Sequence, residues 1–354
     1  MFGERLLRAR SAAGLSMQAL AAQAGVSANM IKKYEHGESM PSSGVLVKIA
    51  RALGVRSEYF FRPVRVELAG IEYRKRSNTP ASVLNRIKAD VVDQAERWQE
   101  LMNLWPVFPI AKFKTPILPL QKIVSLDDVE AFADHLRAAW SLGTRPIADL
   151  IDVLESHGIL VIVTDIDEKT KFDGLQASIA EQPVIVVSAN WPGDRQRFTL
   201  AHELGHLLLH GLLTEGIDEE KACNRFAGAL LLPAATMRAE IGSIRKRLEV
   251  QELLMLKMEY GLSMQACLYR ACDLGIITES TRKGLFMHFS QNGWRSREPG
   301  KPYPKETTML FRQLVYRALG ESIIGESKAA ELLGTSLVSF HQARKLEALD
   351  ATSY

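Results

Sequence analysis

Cysteine is scarce: Cys223, Cys267 and Cys272 are the only three in 354 residues. An odd number with no C-x-x-C spacing excludes a disulfide framework and a cysteine-based zinc cluster. Long apolar runs are missing as well. The stretch from Gly158 to Val163 falls far short of the roughly 18 residues that a membrane span needs. The first residues, Met1-Phe2-Gly3-Glu4-Arg5, carry an acid and pass at once into a polar helical pattern, so no secretory signal is expected and the chain reads as cytoplasmic. Nor is charge in excess. Charged residues make up 24% and hydrophobic ones 47%, which excludes a mainly disordered chain. The length exceeds one ordinary domain of about 100–200 residues, so several units are expected.

A net charge of +3 hides an asymmetry. Residues 1–66 hold ten Lys/Arg against four Asp/Glu, leaving 34 bases and 37 acids for the rest. Any nucleic-acid contact is therefore expected to be local to the N-terminal segment.

The periodicity predicts a mainly α protein with a small β-sheet. Residues 1–66 read as a compact all-helical unit, with Ser16 and Ser27 as caps of its second and third helices and Gly54 ending the last. The segment 67–124 reads as a linker with a long helix: a strand-like run at 64–73, a linker at 75–81, helix over 82–104, then prolines from Pro106 to Pro119. Residues 125–235 read as a third unit. Ser125 caps a helix ending near Gly143, a second helix covers 146–157, and the β-rich runs 159–164 and 184–188 flank a turn-rich segment. Residues 236–354 read as a helical C-terminal domain. The hexapeptide Gly14-Leu15-Ser16-Met17-Gln18-Ala19 recurs at 261–266, either as a common serine-capped helix start or as part of a second helix-turn-helix-like unit.

From Met17 to Gly37 the spacing is one helix, a tight turn at Gly25-Val26 and a second helix, the arrangement that docks a helix in a DNA groove. Leu20, Ala21, Val26 and Ile31 supply the packing contacts, while Ser27, Ala28, Asn29, Lys32 and Lys33 project outward. Asparagine reads an adenine edge with two hydrogen bonds, and lysine suits guanine acceptors or phosphate. The plainer alternative is a helix whose charges simply face water. Residues 4–62 resemble the Xre (lambda-repressor-like) helix-turn-helix family through LSMQALAAQAGVSANMIKKYEHGESMPS. The resemblance implies base-reading positions at Ala28, Asn29 and Lys33. The family's usual backbone-contacting glutamine is Met17 here, with Gln18 next.

His202-Glu203-Leu204-Gly205-His206 carries the most chemistry. Helical residues four apart lie on one face about 6 Å apart, so both imidazoles reach one ion, and Glu203 sits close enough to polarise water without being a ligand. Two unrelated surface histidines are the alternative. Apolar neighbours (Phe198, Leu200, Leu204, Leu207, Leu208) argue against it, because buried histidines and a glutamate need partners. His210 lies about 12 Å along the axis from His202 and is expected to serve the helix end. The third ligand is sought on the helix from Asp218 to Leu232. Glu220 is chosen, with Glu219 as competitor, Asn224 as the residue orienting a histidine, and Cys223 as a small core residue.

The segments PVIVVSANWPGDRQRFTLAHELGHLLLH and EKACNRFAGALLLP resemble the ImmA/IrrE family of bacterial metallo-endopeptidases, from about residue 126 to 233 and more loosely to about 340. The resemblance implies an α+β zincin-like core, one Zn2+ per chain on His202, His206 and Glu220, and Glu203 as the catalytic base. Zinc would then polarise the scissile carbonyl, and Glu203 would move the proton to the leaving amine. Arg225, Tyr260 and His157 are candidate oxyanion stabilisers. Pro183 confines its strand to a start or an edge, and the strand 183–187 is expected to hold substrate backbone by strand addition. The expected whole is a transcriptional regulator binding double-stranded operator DNA as a homodimer, with a peptidase domain cleaving a protein partner such as a repressor. The alternatives are a regulator whose peptidase-like domain is a sensor or scaffold, and an antitoxin-like protein.

Overall fold

The computed structural model describes residues 2–61, 69–72, 81–116, 122–165, 172–179 and 182–345. Helices α1 (Phe2–Ala12), α2 (Met17–Ala24), α3 (Ala28–Glu35) and α4 (Ser43–Ala52) form the N-terminal unit, closed by a 3-10 turn at Ser57–Phe61. Both expected caps are made: the Ser16 hydroxyl accepts from the Ala19 amide at 3.0 Å, and Ser27 from Met30 at 3.2 Å. Leu6, Leu20, Ile31, Ile49 and Phe60 fill a core of their own.

Strand β1 (Ala69–Glu72) falls within the expected strand-like run; the rest of that run, apart from Tyr73's neighbours 69–72, and residues 75–80 of the expected linker lie outside the described residues. Helix α5 (Ala81–Met102) follows, as the pattern predicts. Helix α6 (Leu126–Ala139) starts from Ser125, which forms a capping box with Asp128. It stops four residues before Gly143. Helix α7 (Leu150–Ser156) begins later than the expected 146. Asp149 caps it, and the amides of Leu150 and Ile151 donate to the carboxylate of Glu306 at 2.9 and 3.0 Å. A partner 156 residues away sets that boundary, so local spacing could not reveal it.

Strands β2 (Leu160–Thr164), β3 (Gly174–Ile179) and β4 (Gln182–Ser188) complete a four-stranded sheet of order β1-β3-β4-β2. β3 occupies the segment read as turn-rich. β4 pairs parallel with β2 and antiparallel with β3, so the run 183–187 is an inner strand and not the expected edge. Its proline is tolerated because the β2 ladder begins only at Val184, which leaves the missing N–H of Pro183 outside that ladder. The outer edge of β3 carries β1, paired at Ala69↔Ser178 and Glu72↔Gln176.

The chain continues as α8 (Gly193–Leu209), α9 (Glu219–Leu231), α10 (Ala234–Ile241), α11 (Val250–Tyr260), α12 (Met264–Asp273), α13 (Glu279–Gln291), α14 (Leu310–Gly320), α15 (Glu326–Leu332) and α16 (Leu337–Arg344). Alternation along the strands divides these helices between two cores. Val161, Ile185 and Val187 face the core built by α6 to α13. Leu160, Ile162, Leu175, Val184 and Val186 face the core of α5 and α14 to α16. The helix of segment 67–124 is thus a packed core element, and the region 236–354 is shared between both faces. α1 is tied to α5 by ion pairs of Arg5 and Arg8 with Glu96, the latter at 2.6 Å. No helix among the described residues is long and apolar enough to cross a membrane.

The repeated hexapeptide proves to be a shared serine-capped helix start. Gly14 and Gly261 both have φ near +65°, at 65° and 67°, and Ser263 caps α12 as Ser16 caps α2. The first amides of α12 donate to Glu298 at 3.0 Å, so that helix start is already satisfied within the chain.

The start of α8 is clamped from outside. Arg197, fully buried, pairs with Glu306 and donates to the Ile147 carbonyl at 2.7 Å. The Gly193 amide donates to the Tyr303 carbonyl at 3.2 Å, and a Cβ at Gly193 would meet the Pro304 carbonyl oxygen at 1.8 Å, so only glycine fits. Glu306 therefore serves α7 and α8 together. Glu306→Ala leaves Arg197 as an uncompensated buried charge and is expected to cost about 3–5 kcal/mol in urea unfolding. A loss under 1 kcal/mol would show that the clamp does not hold α8.

Candidate metal centre and nucleic-acid interface

α8 turns its central residues inward because β4 covers one side and α9 the other. His202 and Glu203 are almost fully buried, and His206 is nearly so. The closeness of α9 depends on Gly205: a Cβ there would lie 3.1 Å from the Phe226 ring and 3.3 Å from Cys223 Cα. The glycine within the pentapeptide is therefore a packing requirement, which the motif spacing by itself did not reveal.

The two Nε2 atoms of His202 and His206 stand 3.0 Å apart. Glu220, at the first turn of α9, brings Oε1 to 3.4 Å from His206 Nε2 and Oε2 to 3.9 Å from His202 Nε2. Glu219 Oε1 lies 3.0 Å from His206 Nδ1. A carboxylate only accepts, so Nδ1 carries the proton and the Nε2 lone pair of His206 faces His202 and Glu220. Nitrogen lone pairs and carboxylate oxygens converging in a mostly buried space call for a shared cation, and the donor set of two imidazoles and one carboxylate suits zinc. The residues fit the metal that the motif implies.

Cys223 adds a donor. It is fully buried on α9, and its Sγ with one ligand atom of each histidine forms a group lying within 4.8 Å. It packs in the core, as expected of a small buried cysteine, and the crossing of α8 over α9 also brings it near the imidazoles. Glu220 and Cys223 are therefore both placed to add a donor to the imidazole pair.

Asn224 does not orient a histidine. It is exposed and lines a cavity of about 630 Å³ with Phe198, Arg225, Tyr269 and Arg270. One residue turned the helix face away from the imidazoles; Glu219 makes the contact expected of it. Two oxyanion candidates are also placed elsewhere. His157 stacks on Trp140 and lies 2.8 Å from the Val153 carbonyl through Nδ1, and the Tyr260 hydroxyl donates to Glu240 at 3.0 Å. Burial and the Glu240 carboxylate hold the Tyr260 hydroxyl above its ordinary range. Arg225 is engaged by Glu130 and Asp273 in the wall of the cavity. His210 is exposed at the C-cap of α8. Glu203 stands beside β3: a Cβ at Gly174 would meet Thr199 Cγ2 at 2.6 Å and Glu203 Cγ at 3.5 Å, so the strand passes close over the glutamate.

At the other end of the chain, Ile31 and Tyr34 anchor α3 while Gln18, Ser27, Asn29, Lys32 and Lys33 are exposed, with Ala28 half-buried at the helix start. The Arg10 guanidinium grips the Glu35 carboxylate and donates to the Leu15 carbonyl at 2.9 Å, which fixes α3 against α1 and the start of α2. This pair links residues 25 apart and leaves no periodic signature.

Two family models match the chain. Residues 6–60 match the helix-turn-helix model, and residues 154–271 match the peptidase M78 model, described as the IrrE N-terminal-like domain. The chain thus carries an Xre-like helix-turn-helix domain at its N-terminus, followed by a domain of an IrrE-like metallopeptidase family. Over 59 residues it is 42% identical to an uncharacterized transcriptional regulator in the ATPase CF(0) region of Rhodospirillum rubrum, covering 17% of this chain and 55% of that protein. Over 62 residues it is 36% identical to YonR, an SPbeta prophage-derived uncharacterized HTH-type transcriptional regulator of Bacillus subtilis (strain 168), covering 18% and 57%. The chain therefore spans about half the length of the curated relatives it matches. The peptidase match runs through α12, past residue 235 where the pattern suggested a boundary.

The two candidates for third ligand are separable. Zinc content of the purified protein is expected near one per chain, falling by at least tenfold in Glu220→Ala and in His206→Ala, and holding in Cys223→Ala. Loss in Cys223→Ala with retention in Glu220→Ala would reverse the assignment.

Proposed function

We propose that this chain is a cytoplasmic transcriptional regulator that binds double-stranded operator DNA through α3 and acts as a zinc-dependent endopeptidase on a protein partner such as a repressor. The observation that carries the reading is the buried imidazole pair facing a carboxylate across two crossing helices. His202, His206 and Glu220 would hold the zinc, in the gluzincin manner. When bound, zinc supplies a Lewis acid for the scissile carbonyl. Glu203 accepts a proton on its carboxylate from the attacking water and returns it to the departing amine. Its near-complete burial keeps bulk water from competing for that proton. Glu219 holds His206 in the tautomer that leaves Nε2 directed at the centre. On the DNA side, Asn29 and Lys33 read base edges, Ala28 gives apolar contact, and Lys32, Ser27 and Gln18 address the backbone. Binding as a homodimer follows from the half-site that one such unit reads.

A second reading has one observation in its favour. With Cys223 beside the imidazoles, a centre using both Glu220 and Cys223 has four protein ligands, the arrangement of structural zinc. The domain would then be a sensor or scaffold. Glu203→Gln separates the two. It is expected to keep its zinc and to abolish cleavage when incubated with the products of neighbouring regulatory genes, with a chelator-treated wild-type sample as control. Unchanged regulation in that variant would remove the enzymatic reading.

The DNA reading is tested independently. Lys32→Ala should weaken binding across sequences and lower the slope of log affinity against log salt by about 1, while Lys33→Ala should relax the preference at the base it reads. An unchanged slope would mean that α3 does not face DNA.

A further inference from the structure

The turn from α15 into α16 repeats the turn from α2 into α3 in its left-handed glycine and its serine cap. In the N-terminal unit, α2 ends at Gly25 with φ 72°, Val26 follows, and Ser27 caps α3. In the C-terminal region, α15 is followed by Gly334 with φ 67°, Thr335, and Ser336 as the cap of α16. Two backbone bonds coincide. Val26 N donates to Ala21 O at 3.0 Å, and Thr335 N to Ala330 O at 3.0 Å; Ile31 N reaches Ser27 O at 3.2 Å, and Phe340 N reaches Ser336 O at 2.9 Å. So do the caps, with Met30 N on Ser27 Oγ at 3.2 Å and Ser339 N on Ser336 Oγ at 3.0 Å. The buried contacts correspond as well: Leu20, Ala21 and Ile31 in one unit, Ala329, Ala330 and Phe340 in the other. Left-handed glycine, serine cap and small buried alanines are the local devices of a helix-turn-helix, and both units have them.

We infer that α15–α16 is a second helix-turn-helix unit and that α16 is a second DNA-reading helix. By this correspondence Leu337, Val338 and Gln342 stand where Ala28, Asn29 and Lys33 stand on α3. All three are exposed, Val338 at 68%. Aliphatic side chains suit thymine methyl groups, and glutamine matches the adenine edge with two hydrogen bonds. Duplex DNA is favoured over a protein occupant by charge. Residues 310–345 hold five Lys/Arg against three Asp/Glu. Each of those acids is engaged within the module: Glu321 by Arg317, Glu326 by Arg344 and His341, and Glu331 by Lys328.

The two units share one mount. α1 is ion-paired to α5 through Glu96. Lys328 of α15 pairs with Glu100 of α5, and Arg97 of α5 reaches the Leu332 carbonyl at 3.5 Å. Arg56, just after α4, donates to the Ser327 carbonyl at 3.2 Å. A 22-residue helix thus joins a basic N-terminal reader to a C-terminal one, and a single chain presents two unlike reading helices.

The test uses the full-length chain and rounds of selection from a pool of 40-bp random-sequence duplexes. Wild type is expected to enrich sites with two unlike conserved blocks. Val338→Glu with Gln342→Glu, which alters only exposed side chains, should lose one block and bind the selected site at least tenfold more weakly; Asn29→Glu with Lys33→Glu should lose the other. Gln342→Ala alone should relax the preference at a single position. Selected sequence and affinity unchanged in the α16 variants would overturn the inference while leaving the α3 reading intact, as would loss of a protein contact with DNA binding preserved. Failure of wild type to enrich any sequence would overturn both.

Discussion

The approach of α8 to α9 governs the site. Two imidazoles one helical turn apart can always point the same way, but their Nε2 atoms meet a carboxylate only because Gly205 lets the next helix come against the backbone of Cys223. That proximity holds two buried imidazoles against a carboxylate that stays more than half exposed, and the cost of burying the ring nitrogens is offset by mutual contact or by a cation. Everything else nearby serves to keep α8 in place. The Arg197–Glu306 pair anchors its first turns, the Tyr303-Pro304 backbone closes over Gly193, and β4 supplies a fully buried floor.

The same clamp joins segments far apart in the chain beyond the N-terminal unit. Glu306 comes from the segment between α13 and α14, yet it caps α7 and neutralises a residue of α8. The sheet has helices on both faces, so α5 and α14–α16 are as necessary to it as the helices of the metal centre. Through α5 the N-terminal reading unit is joined by ion pairs to the layer that covers the sheet. DNA-reading and metal-binding parts are therefore connected by packed elements, and a change at one can be transmitted mechanically only through that layer.

Much of the site was legible from spacing. His202, His206 and Glu220 meet as the two-helix reading requires, and Ser16, Ser27 and Ser125 cap the helices predicted for them. What failed did so for identifiable reasons. Asn224 follows Glu220 by one turn, but the crossing of α9 turns it to a cavity and gives the histidine contact to Glu219. The strand at 183–187 looked like an edge because of Pro183, yet the proline lies beyond the end of the β2 ladder and the strand is central. β3 escaped notice because its six residues sit among turn residues and its strand character comes from pairing with β4.

Local chemistry alone determined which helices form, where serine and acidic caps start them, and which pentapeptide carries two histidines and a glutamate on one stretch of helix. These depend on residues within a turn or two of each other, where spacing converts directly into geometry. Tertiary structure decided the approach of Glu220, the presence of Cys223, the interior position of β4, and the joining of α1 and α15 to α5. Each of those joins residues tens to hundreds of positions apart, and the angle at which two helices or strands meet is set by packing that no periodicity encodes.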